Sequence, residues 1–253
     1  MAKAGGNLLN TYVADYVVFD LETTGISPKT DEVVEISAVK VEHGKVTDEF
    51  STLVNPKRRI PYGASRVNGI TDDMVAEAPF FEQVLEEFLE FIEGFVLVGH
   101  NIARFDMNFL YRDVEKYFER SLPNDYIDTL QMARRELPNL EHHRLTDLAE
   151  YYGISAEGAH RALNDCRMNQ QVYECMVKEM REARTGKSTS SEILYTKNRA
   201  KIKKITEESI RQKQNRVNRH KTPHRQSGNA VLLNCVRWWS GSLTRIRTTA
   251  IQF

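Results

Sequence analysis

Tyr16-Val-Val-Phe-Asp20-Leu-Glu22-Thr-Thr-Gly25 is an apolar run that carries two carboxylates on alternate positions. Successive side chains of a strand point to opposite faces, so Asp20 and Glu22 share one face while Phe19 and Leu21 take the other. Two like charges at the end of a buried strand repel each other and lose hydration, a cost that a cation offsets. Carboxylate oxygens are hard ligands, which points to Mg²⁺ or Mn²⁺. A bare D-x-E also occurs at many solvated strand ends, so the pair gains meaning only from partners elsewhere in the chain.

The frame around the pair is an ordinary globular one. The chain has 253 residues, 41% of them hydrophobic, enough for one substantial domain and an appendage. The start, Met-Ala-Lys-Ala-Gly-Gly-Asn, leads into no long apolar core, and no stretch approaches about 18 consecutive apolar residues, so a cytoplasmic protein is expected. Cys166, Cys175 and Cys235 form no C-x-x-C, which argues against a disulfide framework or a cysteine zinc site. The net charge of zero conceals a division. Residues 186–253 hold 15 Lys and Arg against 3 Glu, a balance of +12 that residues 1–185 offset with −12. An acidic body with a basic, nucleic-acid-seeking tail follows.

Apolar alternation and short apolar runs predict strands at 16–22, 33–42, 46–54 and 95–99, the second and third joined through His43-Gly44. Helical spacing takes over afterwards. Residues 82–92 place Val84, Leu85, Phe88, Leu89 and Ile92 on one stripe, and 103–118 repeat the pattern with Phe105, Phe109, Leu110, Val114 and Phe118. Shorter helices fit 127–135 and 145–152, the latter stopped by Gly153, and a long one starts near His160 and runs towards Arg184. The order predicts an α/β domain: a mixed sheet covered by helices.

Two further acid-bearing clusters fall on the helical part: His100-Asn-Ile-Ala-Arg-Phe-Asp106 and His160-Arg-Ala-Leu-Asn-Asp165. Asp106, at a helix start, is by itself an ordinary first-turn acid favoured by the backbone dipole. His160 and Asp165 are five residues apart, about 1.4 helical turns, so both can overlook one site.

Taken together, F-D-L-E-T-T-G with Asp20 and Glu22, H-N-x4-D ending on Asp106, and H-x4-D from His160 to Asp165 resemble, in order, the three motifs of the DEDD superfamily of 3′-to-5′ exonucleases in its DEDDh branch. Val67-Asn-Gly-Ile-Thr-Asp-Asp-Met-Val75 and Ile127-Asp128-Thr129 are similar to segments of the proofreading exonucleases of bacterial DNA polymerase III, the epsilon subunit or the PolC-type exonuclease domain. The resemblance runs from about Tyr16 to Met180. It implies a ribonuclease H-like five-stranded mixed sheet flanked by helices. With the charge division, which sets the tail outside the resemblance, three segments are expected: an N-terminal extension over 1–14, an exonuclease domain over 15–185 and a basic tail over 186–253.

The resemblance also implies a chemistry. Phosphodiester cleavage needs an activated water, a stabilised pentacovalent phosphorus and a leaving 3′-oxygen, all of which two divalent ions supply. Asp20 would bridge two Mg²⁺ or Mn²⁺, Glu22 and Asp165 would hold the ion carrying the nucleophilic water, and Asp106 would support the other. His160 would accept the proton, a role suited to an unperturbed pKa of about 6.5. Thr23 and Thr24 would hold the terminal nucleotide through their backbone. Asn101 and Asn68 are further candidates for substrate contact, Asn68 standing where the relatives often have histidine, and Ile70 and Phe105 either pack on the terminal base or are ordinary core residues.

The expected activity is release of nucleoside 5′-monophosphates from DNA 3′ ends, single-stranded or mispaired, in proofreading or repair beside a separate polymerase chain. RNA 3′-end trimming is the alternative within the superfamily, because the contact that separates them is to the 2′-hydroxyl. A non-catalytic, polymerase-associated nucleic-acid-binding module is the alternative of another class, and a lost metal ligand would have favoured it. Lys197 to Arg225 reads as a solvated basic arm or as a set of phosphate contacts, and Val231-Leu-Leu233 with Trp238-Trp239 as a small apolar island. Gly186-Lys-Ser-Thr189 lacks the first glycine and the preceding strand of a P-loop, and His142-His143 and His220-x3-His224 lack further metal ligands.

Overall fold

The structure, a computed structural model, describes residues 5–156, 158 and 161–184. The basic tail, its apolar island, Cys235, the Gly186–Thr189 stretch, His220, His224 and the motif residue His160 lie outside the described residues. Five strands form one sheet in the order β3-β2-β1-β4-β5. They are β1 (Tyr16–Thr23), β2 (Val33–Glu42), β3 (Lys45–Leu53), β4 (Val96–Gly99) and β5 (Tyr126–Asp128). The three strands predicted first pair antiparallel, and β1 pairs parallel with β4, as β4 does with β5. His43 and Gly44, at φ 53° and 73°, make the two-residue turn between β2 and β3, the left-handed pair that matches the twist of a hairpin. This is the ribonuclease H-like mixed sheet that the resemblance implies.

Period-two alternation in β1 feeds two cores. Val17, Phe19 and Leu21 enter a cluster with α3 (Phe81–Phe91) and α4 (Asp106–Phe118). Tyr16 and Val18 enter another, with α5 (Thr129–Glu136), α6 (Leu145–Tyr152) and α7 (Ala162–Arg184). The face that continues Tyr16 and Val18 ends in Asp20 and Glu22, so α7 lies over the carboxylates as well as the core. The Tyr16 hydroxyl donates to Glu174 Oε1 at 2.6 Å, and Tyr173 meets the Tyr16 ring edge-on at 4.9 Å, fixing the helix to the strand.

Three local features differ from the sequence expectation. The stretch predicted as a helix over 127–135 splits, because Tyr126–Asp128 hydrogen-bonds to β4 and the helix starts only at Thr129 under the Asp128 cap. The helix predicted from 103 starts at Asp106, since Asn101 at φ 66° and Phe105 at φ −121°, ψ −82° hold a non-helical turn before it. Two short helices, α1 (Tyr62–Asn68) and α2 (Asp72–Val75), occupy the segment between β3 and α3 where no element was predicted. Both have too few apolar positions to show a period.

Ahead of β1, Leu8 bridges to Tyr126 in parallel and the Leu9 N–H donates to the Tyr126 carbonyl at 2.7 Å, so the N-terminal segment runs along the β5 edge. Among the described residues no helix is long and apolar enough to cross a membrane. Cys166 and Cys175 are free thiols, Cys166 buried against the Ser37 carbonyl.

Candidate active site

Each motif arrives on a different element. Asp20 and Glu22 come from the C-terminal end of β1, beyond the Tyr16–Val18 stretch that pairs parallel with β4, on the side of a parallel strand pair at which open α/β sheets gather their ligands. The β1–β2 register breaks between Glu22 and Thr23, which turns the chain away immediately after the second carboxylate. Asp165 comes from the first turn of α7. Carboxylate oxygens of Asp20, Glu22 and Asp165 all lie within 4.8 Å of one another, each on a half-buried residue. Asp106 is the first residue of α4, 2% exposed, and its Oδ1 accepts the Leu21 backbone N–H at 3.1 Å. The second motif is thereby tied to the strand residue between the two carboxylates of the first.

The electrostatics are those of a crowd of acids. Burial, then Asp106, Glu22 and Asp165, pushes the Asp20 carboxyl well above the usual carboxylate range. Glu22 rises to about 8 through burial and the charges of Asp165 and Glu35, partly offset by a hydrogen bond from the Asn68 amide. Asp106 rises to about 7 by burial, held back by backbone N–H donors that include Leu21. Groups so arranged either keep protons or take up a cation, and a hard divalent ion fits this all-oxygen donor set.

The loop after the first motif is held from outside. Arg112 on α4 donates to the carbonyls of Pro28 and Asp31, both at 2.6 Å, and pairs with Glu32 and Asp113. The Thr23 hydroxyl donates to the Gly25 carbonyl, and the Thr24 hydroxyl accepts the Glu32 N–H. The Thr24 N–H itself donates to the Glu32 carbonyl at 2.8 Å. Both threonines are buried, with side chains spent on shaping the turn. Gly25 sits where a Cβ would meet the Asp31 carboxylate at 2.5 Å.

The remaining candidates separate. Asn68 is 3% exposed, its amide directed to Glu22 and its Oδ1 accepting the Ile70 N–H at 3.0 Å. Ile70 is fully buried with Val34, Ile60 and Val75, away from any surface a base could reach. Phe105 is half-buried and packs on Phe109 at 5.2 Å. Asn101 lies half-buried in the turn, its N–H bonded to Asp128 Oδ1. His100 shares a hydrogen bond between Nδ1 and the Thr129 hydroxyl, and burial brings its pKa down to about 4, so the ring is neutral at neutral pH.

Two residues escaped the sequence reading as contributors. Asp128 caps α5 through the N–H groups of Leu130 and Gln131 and accepts those of Asn101 and Ala103, so one buried side chain holds the turn that leads into Asp106. Its segment was noted only as a likeness. Glu35, 3% exposed on β2, stands opposite Glu22 in the register; an acid inside the apolar run Val33-Val-Glu-Ile36 was the available signal.

Comparison with known proteins agrees with this arrangement. The family model described as Exonuclease matches residues 17–173. The chain is 40% identical over 168 residues to a PolC-type DNA polymerase III of Clostridium perfringens, an alignment that takes in 66% of this chain and 12% of that protein. It is 36% identical over 178 residues to the DNA polymerase III subunit epsilon of Aquifex aeolicus, covering 70% of this chain and 86% of that one. The chain thus spans about an eighth of the length of the PolC-type relatives it matches. Among solved structures, exonuclease X in complex with 5′-overhanging duplex DNA superposes with a TM-score of 0.54 at 26% identity, covering 72% of this chain and 99% of that one. E. coli exonuclease I with a dA16 oligonucleotide gives 0.59 at 18% identity over 68% and 42%, a likeness of fold.

Proposed function

The chain belongs to the exonuclease family, and from that premise we propose that it removes nucleoside 5′-monophosphates from DNA 3′ ends with two Mg²⁺ or Mn²⁺ ions held by Asp20, Glu22, Asp106 and Asp165. The observation that carries the proposal is the convergence of Asp20, Glu22 and Asp165 oxygens within 4.8 Å, closed by Asp106 on the Leu21 N–H. When bound there, divalent cations supply a water that ionises near neutral pH and positive charge for the phosphoryl group and the leaving oxygen.

The chain's own groups divide the remaining work. Glu22 and Asp165 would hold the ion on the side from which water attacks, Asp106 would support the one on the leaving-group side, and Asp20 would serve both. His160, by likeness to the family, takes the proton from the attacking water. The Thr23–Gly25 turn, braced by Arg112, presents backbone to the terminal nucleotide, and Asn101 and Phe105 flank it. Asn68 acts on Glu22, whose carboxyl its amide draws down.

We assign the activity to replication proofreading or repair, in the cytoplasm and beside a polymerase chain, a reading that the likeness to polymerase III proteins supports. RNA trimming is the second reading within the same chemistry. Incubation with Mg²⁺ and 5′-labelled single-stranded DNA, mispaired duplex and RNA of one sequence separates the two. Faster shortening of the DNA strands from the 3′ end is expected, and preferential loss of the RNA would replace the first reading with the second.

A further inference from the structure

Glu35 and Arg161 belong to none of the acid positions assigned above. Glu35 is a fifth carboxylate, directly across the strand pair from Glu22 and almost fully buried. Its charge adds to the repulsion on Asp20 and Glu22. Such a group is costly beside four other acids unless it is paired. It is paired: Arg161 Nη2 donates to Oε1 at 2.9 Å, and Arg161 Nε and the Ala162 N–H both reach Oε2 at 3.4 Å. Glu35 is therefore directed at the start of α7 and stands outside the group of carboxylates that converge on one another.

The other end of the connection is Asp165. Ala162 is the first residue of α7, so Glu35 places a carboxylate at that helix N-terminus, where the first-turn N–H groups and the backbone dipole favour it. The Asp165 N–H donates to the Arg161 carbonyl at 3.0 Å. A continuous path runs from β2 through the Glu35 carboxylate and Arg161 to the first turn that carries Asp165. The Arg161 side chain is half-exposed, yet two of its nitrogens are committed to Glu35, a forked geometry lysine cannot reproduce.

We propose that Glu35 and Arg161 are positioning residues: their ion pair locks the first turn of α7 onto β2 and so fixes Asp165 against Asp20 and Glu22, without either residue holding metal or substrate. The proposal rests on the metal site described above. Charge and position make opposite demands on Arg161. Removing a cation beside an acidic site would tighten divalent binding through charge alone, whereas loosening Asp165 weakens it.

The test is Mn²⁺ binding to the full chain by calorimetry, for wild type, Glu35→Gln, Arg161→Gln, Arg161→Lys and the double variant, together with steady-state nucleotide release. We expect Arg161→Gln and Glu35→Gln each to weaken Mn²⁺ by about 10- to 100-fold, the range seen when groups that orient metal ligands are lost. The double variant should be no weaker than the worse single one, because both break one pair. Arg161→Lys should recover part of the loss, and kcat should fall with KM unchanged. Tighter or unchanged Mn²⁺ binding in Arg161→Gln, or a raised KM at constant kcat, which would mark a substrate contact, overturns the proposal. Failure of wild-type protein that binds Mn²⁺ to release nucleotides overturns the exonuclease reading instead and leaves the binding result to decide the pair.

Discussion

The backbone N–H of Leu21 donates to Asp106 Oδ1 at 3.1 Å, joining the strand residue between two site carboxylates to the first residue of a helix 85 positions later. Asp106 is thereby fixed by the strand it serves. Asp106→Asn keeps an acceptor for Leu21 while removing the charge that burial opposes, so the metal-free variant should melt at or above the wild-type temperature at pH 8 and release nucleotides at least about 10²-fold more slowly. Asp106→Ala leaves the buried N–H unpaired and should cost about 1–3 kcal/mol as well. Thermal melts and initial rates on the pair of variants check both.

Asn68, a candidate substrate contact from sequence, is also buried and draws the Glu22 carboxyl down. Asn68→Ala should therefore raise the Mg²⁺ concentration needed for half-maximal rate and lower kcat about 10- to 100-fold, as loss of a group that orients a ligand does. KM for oligonucleotide should stay constant. A Mg²⁺ titration at saturating DNA separates this from substrate binding, which would show in KM alone.

The pH dependence of stability follows from the raised carboxyls. Glu22 moves from 4.5 to about 8 and Asp106 from 3.8 to about 7, burial being the first cause in each. The metal-free folded chain then holds protons that the unfolded chain releases. These groups add stability that is complete below the unfolded values and is lost as pH rises through about 7 to 8. Metal-free melting temperature should fall between about pH 4.5 and pH 8, and the increment from Mg²⁺ should grow over the same interval, because the cation competes with those protons. Melts with and without Mg²⁺ across that range check the sign, and Glu22→Gln with Asp106→Asn should flatten the metal-free curve.

Asp128 accepts four backbone N–H groups, two from α5 and two from the turn before α4. Asp128→Ala removes a helix cap and orphans two turn donors, so a loss of about 2 kcal/mol or more is expected. Urea unfolding measures it.

The alternation in 16–22 announced β1 and its two faces because the strand is buried on both sides and every second residue has a distinct task. The amphipathic stripes of α3 and α4 were legible for the same reason. Tyr126–Asp128 was not: a three-residue strand followed directly by a helix has no period of its own, and only its pairing with β4 makes it a strand. The acids were singled out on the resemblance that their motifs carry, and the fold brings Asp20, Glu22 and Asp165 together. What supports them was less so. Glu35, Asn68 and Asp128 act through partners that are distant in sequence, 126 residues away for Glu35 and Arg161, and no local pattern encodes such a contact.

On the proposed function, the Asp20-centred carboxylates hold the divalent ions with which this chain shortens DNA from its 3′ end. The direct measurement follows 5′-labelled single-stranded DNA with wild type in Mg²⁺, wild type in EDTA, and Asp20→Asn in Mg²⁺, with circular dichroism confirming that the variant is folded. A ladder shortening from the 3′ end in the first reaction alone is predicted, and equal shortening by folded Asp20→Asn or in EDTA would contradict the account.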